Sequence, residues 1–279
     1  MAMVINTNIS SLAAQRNLAR SSGTLRKSVE RLSSGMRINR AADDAAGLAV
    51  STTLKAQIRS VNQAIRNSND AVSLLQTAEG GLAEMGNILL RMRELAQQAA
   101  NGALGDTERQ FLNDEYLALK SEIQRISDVT EFAGKKLLNG ALSAGVEFQV
   151  GFQNSANDRM ELSINQASAA RLGLNTTSAN TISTAAVAQS ALSVIDSSAI
   201  STLSERRADI GALQNRLEYT IAGLQSSAEN LSAANSRIED ADFASETALY
   251  VKNQILVQAG TSVLAQANML PQNALSLLG

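Results

Sequence analysis

Residues 54–89 read LKAQIRSVNQAIRNSNDAVSLLQTAEGGLAEMGNIL, and their apolar positions recur along one side of a helix. The recurring residues, spaced by alternating steps of four and three, are Leu54, Ile58, Val61, Ile65, Val72, Leu75, Leu82 and Leu89. Ser68, Glu79 and Gly86 interrupt the pattern. A heptad seam of this kind is typical of a helix that packs against another helix. We therefore predict one continuous helix over 44–100, which at 1.5 Å per residue is roughly 80 Å long.

A second heptad pattern in the C-terminal half predicts the partner of this helix. Its members stand at strict seven-residue steps: Leu203, Ile210, Leu217, Leu224, Leu231 and Ile238. A seven-residue step favours left-handed supercoiling against a neighbour. Between the two patterns, a helix is predicted over 106–129, with Asp106 or Thr107 as its N-cap. The runs VEFQVGF and MELSI alternate with period two around Asn157-Asp158, which predicts a β-hairpin.

Both ends of the chain carry the same kind of pattern. Residues 3–32 and 243–278 read as amphipathic helices, whereas chain ends are usually polar and frayed. The residues expected to pack in a terminal layer are Ile5, Ile9, Leu12, Leu264, Leu275 and Leu278. The predicted fold is therefore mainly α: an elongated rod of long antiparallel coiled-coil helices with a small β-hairpin region, plus paired terminal helices. Apolar ends of this kind suggest a subunit built for assembly.

Composition excludes several classes of function. The chain has no Cys and no His, so it lacks thiol nucleophiles, imidazole bases and His-bearing zinc sites. The acidic pairs Asp43-Asp44 and Glu239-Asp240 have no glycine-rich phosphate loop nearby, and we expect neither catalysis nor a cofactor or metal. A formal charge of −2 argues against nucleic-acid binding. The sequence has no run of about 18 apolar residues, so we expect no membrane insertion.

Four stretches of the sequence resemble the bacterial flagellin family. They are MVINTNISSLAAQRNL at 3–18, LSSGMRINRAADDAAGLAVS at 32–51, RMRELAQQAANG at 91–102 and VLAQANMLPQNALSLLG at 263–279. The resemblance covers both ends and most of the helical middle. It implies a structural subunit that self-assembles into the helical flagellar filament for swimming motility.

The resemblance also implies a division into layers. Residues 1–43 and 240–279 would form an inner layer of terminal helices, and residues 44–175 and 190–239 a helical rod with the β-hairpin. Residues 176–189 would be a short linker in the place where many flagellins carry large outer domains, so the chain would be a near-minimal flagellin. Asn175-Thr176-Thr177 fits a glycosylation sequon, although an unmodified linker is the simpler interpretation.

The partners implied by the resemblance all act in the export or assembly of a filament. They are other copies of the chain, other flagellins in a mixed filament, the filament cap and hook-junction proteins, and a cytosolic export chaperone on the C-terminal helix. The start MAMVINTNIS has neither the charged nor the apolar segment of a Sec signal peptide, so secretion would need another route. The resemblance implies the flagellar type III exporter as that route. Two alternatives remain: a hook–filament junction protein of the same superfamily, and a coiled-coil signalling or adaptor module.

Two groups of residues are candidates for specific contacts. Arg37, Arg40, Asp43 and Asp44 lie in a predicted hinge, where they are candidates for ion pairs within or between subunits; one of the two acids is equally suited to cap the long helix. Arg91, Leu95 and Glu115 match the flagellin surface that is read by a vertebrate Toll-like receptor. Packing and salt bridging along the rod is the alternative role for these three residues.

Overall fold

The computed structural model describes residues 7–176 and 179–275, with the backbone alone for 270–275. Six α-helices lie in the described ranges: α1 Ile9–Ser34, α2 Ala45–Ala99, α3 Asp106–Val129, α4 Ala185–Val194, α5 Ile200–Glu239 and α6 Phe243–Leu275. The strands there are β1 Glu131–Phe132, β2 Lys135–Lys136, β3 Val146–Gln149 and β4 Arg159–Leu162. The predicted class, mainly α with a small hairpin, is confirmed.

The chain divides into two compact units. The first contains the chain up to Ile58 and from Glu229 onward, and the second contains Arg59–Ala228. These limits lie 11 to 15 residues further into the two long helices than the layer limits expected at 44 and 240, because α2 contributes its first turns to the first unit and α5 its last turns.

Local signals define the ends of α1. The Asn8 side chain accepts a hydrogen bond from the backbone N–H of Ser11 at 3.1 Å, and it thereby caps the N-terminus. At the other end Gly35 takes the left-handed conformation, with φ 72°, and its N–H donates to the Arg31 carbonyl. Glycine is favoured here because it adopts a positive φ without a Cβ clash.

The cap predicted for α3 is wrong. Gly105 occupies the N-cap position and no side chain completes the cap, while Asp106 and Glu108 lie inside the first turn. Carboxylates in the first turn still stabilise the helix through its dipole. The turn before α3 is instead closed by Arg109, which donates to the carbonyls of Ala99 and Asn101 at 3.0 Å each.

The second unit contains the principal hydrophobic core. The heptad residues Leu75, Leu82 and Leu89 of α2 are fully buried, together with Tyr116 and Ile123 of α3. Helix α5 buries Leu203, Ile210 and Leu217 in the same cluster, but Leu224, Leu231 and Ile238 further along the same seam are only half-buried. The heptad pattern therefore continues past the point where this chain alone buries it.

Helices α2 and α5 run antiparallel within the second unit. Arg207 donates to Glu79 at 3.5 Å, and a Cβ on Gly86 would lie 3.4 Å from Leu203. Before α5, the helix has a π segment at Ile195–Ala199. The buried positions Ile195, Ala199 and Leu203 are spaced by four and four, because the extra residue of a π turn shifts the helix phase so that α4 also faces the core.

Two small antiparallel strand pairs complete the second unit. β3 pairs with β4, with Val146 opposite Leu162 and Gln149 opposite Arg159, as the period-two pattern predicts. β1 and β2 form a two-residue hairpin that the sequence reading did not predict. Its turn residues Ala133 and Gly134 have φ 48° and 78°, the positive values of a tight hairpin turn.

The stretch expected to be a linker is largely packed. Ala179 and Ile182 are fully buried, and Ala185 begins α4. The Tyr116 hydroxyl donates to the Ala179 carbonyl at 3.0 Å, and the Ile182 N–H donates to the Asn113 side chain at 2.9 Å. Burial of Tyr116 raises its pKa to about 12, so this hydroxyl remains a donor throughout the physiological range.

Two adjacent glycines of α2 test the packing of the second unit. A Cβ on Gly81 would meet Leu138 and Thr130 at 2.9 Å, whereas a Cβ on Gly80 would meet nothing within 4 Å. Gly80→Ala should stabilise the protein, because alanine is about 1 kcal/mol better than glycine in a helix. Gly81→Ala should lose about 1–3 kcal/mol to overpacking against a buried leucine.

Urea unfolding of the two variants, followed by circular dichroism, measures this difference. Gly80→Ala is the matched control, since it makes the same chemical change one residue away. Equal unfolding midpoints for the two variants would show that the α2 surface at Gly81 is not closely packed.

Candidate assembly surfaces

Helices α1 and α6 pack side by side in the first unit, antiparallel to each other. Near the start of α1, the Asn8 amide donates to the Ala267 carbonyl at 2.7 Å and the Ser11 hydroxyl donates to Asn268 at 2.8 Å. Near the end of α1, Arg31 pairs with Glu246 at 3.4 Å. These contacts fix the register of the pair.

The buried residues between the two helices are small or polar, while Leu18, Leu25 and Leu264 are half-buried. Ser11 and Ser28 of α1 are buried, and so are Asn253 and Ala267 of α6. A Cβ on Gly260 would lie 3.3 Å from Leu18. Small side chains allow the helices to approach closely, but they leave little apolar surface to bury between them.

Many large apolar side chains of this pair are exposed. On α1 they include Ile9, which is 71% exposed, and Leu12, which is 50% exposed. On α6 the exposed set is Phe243, Leu249, Val251, Ile255, Leu256, Val263 and Met269. Leu249, Leu256 and Val263 stand seven residues apart, so they form one stripe along the helix. Contiguous exposed apolar surface marks a site of protein–protein or membrane interaction.

The six residues predicted to pack in a terminal layer differ in their exposure, and the structure does not describe all of them. Ile9 and Leu12 are exposed and Leu264 is half-buried. Ile5 and Leu278 lie outside the described residues. Leu275 is the last residue of α6, and its side chain lies outside the described part.

The segment between α1 and α2 is joined to the segment between α5 and α6. The Ala241 N–H donates to the Gly35 carbonyl at 2.9 Å, and the Arg37 N–H donates to the Glu239 carbonyl at 2.6 Å. These two bonds flank an antiparallel bridge between Met36 and Asp240. The segment predicted as a hinge is therefore held to the segment between α5 and α6 by backbone hydrogen bonds.

The four hinge candidates divide into two ion pairs and two other roles. Asp43 pairs with Lys27 at 2.6 Å, and Arg40 pairs with Glu30 at 2.7 Å. The hydrogen bond from Lys27 holds the pKa of Asp43 below its usual value.

Arg37 and Asp44 form no ion pair within the described part of the chain, and their pairing between subunits stays a prediction. The Arg37 guanidinium donates to the Ile238 carbonyl at 2.6 Å, because the bridge brings it to the end of α5. The Asp44 carboxylate accepts from the Gly47 N–H at 2.8 Å and thus takes the alternative role of capping α2.

A buried carboxylate, Glu239, was not among the predicted site residues. Its side chain is only 5% exposed, pairs with Lys55, and accepts from the Ser51 hydroxyl at 2.6 Å and from Asn235 at 3.2 Å. Burial alone would raise its pKa, but the hydrogen bonds from Lys55, Ser51 and Asn235 and the Lys55 charge outweigh burial and lower it. Glu239 therefore ties α2 to α5 in the first unit as a carboxylate.

On the second unit, two of the three predicted receptor-facing residues meet at the surface. Arg91 pairs with Glu94 at 3.0 Å and with Glu115 at 2.9 Å, and these carboxylates raise its pKa. Leu95 is fully buried, because it continues the core face of α2 beyond Leu89 and Met92. Leu95 can therefore support this surface from below but cannot present it.

In the described ranges, no group of three or more His, Cys, Asp or Glu side chains could hold a metal ion. Within those same ranges, no helix combines the length and apolar character needed to cross a bilayer.

The fold and its exposed faces define a class: long-helix structural proteins with paired terminal helices. Residues 5–143 match the bacterial flagellin N-terminal helical region and residues 192–278 match the C-terminal helical region. The chain belongs to the bacterial flagellin family, and it is a structural subunit of the flagellar filament. The family is one of structural proteins, exported to form a filament outside the cell.

Relatives match along nearly the whole chain. A flagellin of Halalkalibacterium halodurans is 45% identical over 99% of this chain and 100% of its own length. The flagellar filament 33 kDa core protein of Treponema phagedenis is 42% identical with the same coverage. This full-length match to filament proteins favours the filament over the signalling-module and hook-junction alternatives.

Solved structures agree with the fold. The Bacillus cereus flagellin structure has a TM-score of 0.50 and 34% identity, covering 61% of this chain and 94% of the other. A putative flagellar hook-associated protein from Vibrio parahaemolyticus has a TM-score of 0.58 at 15% identity, covering 71% and 100%, and shows the fold alone.

The Glu239 network predicts a pH dependence for the first unit. Because the folded-state pKa of Glu239 is lowered, its contribution to stability is present above the unfolded value near 4.5 and is lost as the pH falls through the folded value. Glu239→Gln should therefore lower the dissociation temperature of filaments at pH 7. This deficit should shrink as the pH falls below 4.5.

Turbidity of heated filaments across this pH range measures the effect. Glu229→Gln is the control, since Glu229 is exposed and has no ion-pair partner in the ranges that the structure describes. A Glu239→Gln deficit that stayed constant with pH would contradict an ionised Glu239.

Proposed function

We propose that the exposed apolar faces of α1 and α6 are the surfaces through which copies of this chain pack in the filament. The observation that carries the proposal is the outward position of Ile9, Leu12, Ile255 and Leu256 on a helix pair whose buried positions are small or polar. A pair of this kind gains little from its own packing. A neighbouring copy would bury the surface that the pair leaves exposed.

The magnitudes support assembly as the step that stabilises the first unit. Fully burying a large aliphatic side chain contributes about 1.5–3 kcal/mol. Burying the exposed apolar residues of α1 and α6 would therefore contribute more stabilisation than the ion pairs of the hinge. Exposed or partly exposed ion pairs contribute only about 0–1 kcal/mol each.

The same faces suit the other partners inferred for a filament subunit. Before export, a cytosolic chaperone would cover the apolar C-terminal helix, because an uncovered stripe promotes premature association. The flagellar type III exporter would carry the chain to the growing tip. There, the cap, the hook-junction proteins and any other flagellin of a mixed filament would meet it through the same two helices.

Removing apolar contact from α6 should block assembly without disturbing the second unit. The double variant Ile255→Gln/Leu256→Gln should raise the critical concentration for polymerisation by about a hundredfold or more, given about 1.5–3 kcal/mol per side chain. Heat-dissociated monomer is cooled with seed fragments, and filaments are counted by electron microscopy.

The control is Gln254→Ala, an exposed neighbour on the same helix that carries no large apolar group. A double variant that elongated seeds at the wild-type concentration would contradict the role of these faces. Truncation of residues 1–30 or 250–279 should abolish elongation altogether.

A second proposal concerns innate immune recognition. We infer that a vertebrate Toll-like receptor reads the Arg91–Glu115 surface on α2 and α3. The favouring observation is that these two side chains are about half-exposed and hold each other across the two helices, which presents a fixed charged surface. Leu95 would act from beneath, by keeping α2 seated on the core.

Arg91→Ala should raise the flagellin concentration for half-maximal receptor activation by about tenfold, as expected for an interface arginine. A reporter cell line that expresses the receptor measures the response. The control is Arg125→Ala, because Arg125 is a similarly exposed arginine that pairs only within its own helix, with Glu122. Equal effects of the two variants would show that the response does not depend on Arg91.

A further inference from the structure

We propose that Arg16 and Arg20 of one copy pair with Asp240, and with the free side of Asp242, on a neighbouring copy shifted along the direction of α1. This inference rests on the assembly of copies through the first unit and names the polar contact that would set their stagger. The contact would use charged side chains of α1 and of the α5–α6 turn that have no ion-pair partner in the described part of the chain.

Most charges of the first unit are used within the chain. Lys27, Glu30, Arg31, Arg40 and Lys55 all form ion pairs there. Arg37 is engaged by a carbonyl instead. In the ranges that the structure describes, the α1 cations without an ion-pair or hydrogen-bond partner are Arg16, Arg20 and Arg26, and all three are exposed.

Arg16 and Arg20 are four residues apart and therefore lie on one face of α1. Ile9 and Leu12 lie on the same face, and a shallow groove there is lined by Ile9, Leu12 and Arg16 together with Gln15 and Ala19. An exposed apolar patch bordered by charged residues is the usual anatomy of an interface. The two arginines thus form the polar border of a face that is already apolar and exposed.

In the described part of the chain, no acid pairs with these arginines. Leu18 lies against Gly260 and Arg31 against Glu246, so Arg20 is opposite the middle of α6. The sequence contains no charged residue after Lys252. The facing part of α6 is consequently neutral, and the two cations have no counter-charge on their own partner helix.

Two exposed acids of the first unit lie at the other end of the helix pair. Asp240 is exposed at the turn between α5 and α6, and its carboxylate has no partner in the described part of the chain. Asp242 caps α6 by accepting from the Ala244 and Ser245 N–H groups through Oδ1, which leaves Oδ2 free. From the level of Arg20 to Asp240 is about 17 residues, or about 25 Å at 1.5 Å per residue.

A neighbouring copy displaced by about 25 Å along α1 would bring its own acids beside Arg16 and Arg20. A copy of this chain is the occupant that the charges favour, because it supplies two negative groups for two positive ones at a repeating distance. The contact is heterologous: one patch is basic, the other acidic, and each copy carries both. Heterologous contacts propagate without closing, as a filament requires.

The test uses reversed charges in separate chains. Arg16→Glu/Arg20→Glu chains should elongate seeds poorly, because their acidic patch would meet Asp240 of the next copy. Asp240→Arg chains should also fail, because two basic patches would meet. We expect each variant alone to raise the critical concentration by about tenfold.

An equimolar mixture of the two variants should recover elongation. In an alternating arrangement every contact in the mixture has one basic and one acidic patch. The triple variant with both changes in one chain should also recover. Recovery only in the triple variant would overturn the proposal, because it would show that the charges pair within one chain.

Two further measurements keep the result interpretable. Arg16→Gln/Arg20→Gln and Asp240→Asn remove attraction without adding repulsion, and their effects should be less than additive when combined. Circular dichroism checks that helix content is unchanged in every variant. Normal elongation by both charge-reversed variants, with a functional wild type, would overturn the stagger contact and leave the apolar assembly faces intact; failure of the wild type itself would instead refute assembly.

Discussion

The structure depends on the antiparallel contact between the apolar seams of α2 and α5. In the second unit this contact buries Leu75, Leu82 and Leu89 against the cluster that contains Leu203 and Ile210. Aromatic residues are only 3% of the sequence, so the core consists almost entirely of aliphatic side chains at heptad positions. Every smaller feature of that unit, including both hairpins and the packed stretch around Ile182, contributes residues to this one cluster.

Helices α2 and α5 run through both units, but their apolar seam is buried more completely in the second unit than in the first. From Leu203 to Leu217 the α5 seam is buried, whereas from Leu224 towards Glu239 the seam is half-buried and polar contacts join the helices. Polar pairs specify position but contribute little net stability. The polar contacts of the first unit therefore fix its geometry, but the unit buries little apolar surface. This combination suits a part whose stability comes from neighbouring copies.

Sequence periodicity predicted the long elements well. The heptad steps gave α2 and α5, and the period-two runs gave β3 and β4, because in these elements burial follows spacing directly. The tight hairpin at Ala133-Gly134 was missed since its strands have two residues each, too few to show a period. Glu239 was assigned no role, and Arg37 was expected in an ion pair rather than in its contact with a backbone carbonyl. The partners of both residues are about 200 positions away and become neighbours only because the two inter-helix segments pair.

The absence of charge after Lys252 has a mechanical consequence. An ion pair that is displaced by one helical turn loses its partner, whereas an apolar side chain that slides along another apolar stripe keeps most of its buried area. The faces of α6 at Leu249, Leu256 and Val263 therefore resist separation far more than they resist sliding. A polymer joined through such faces could lengthen on one side and shorten on the other while these apolar faces stayed buried. It would be stiff against pulling apart and compliant in bending.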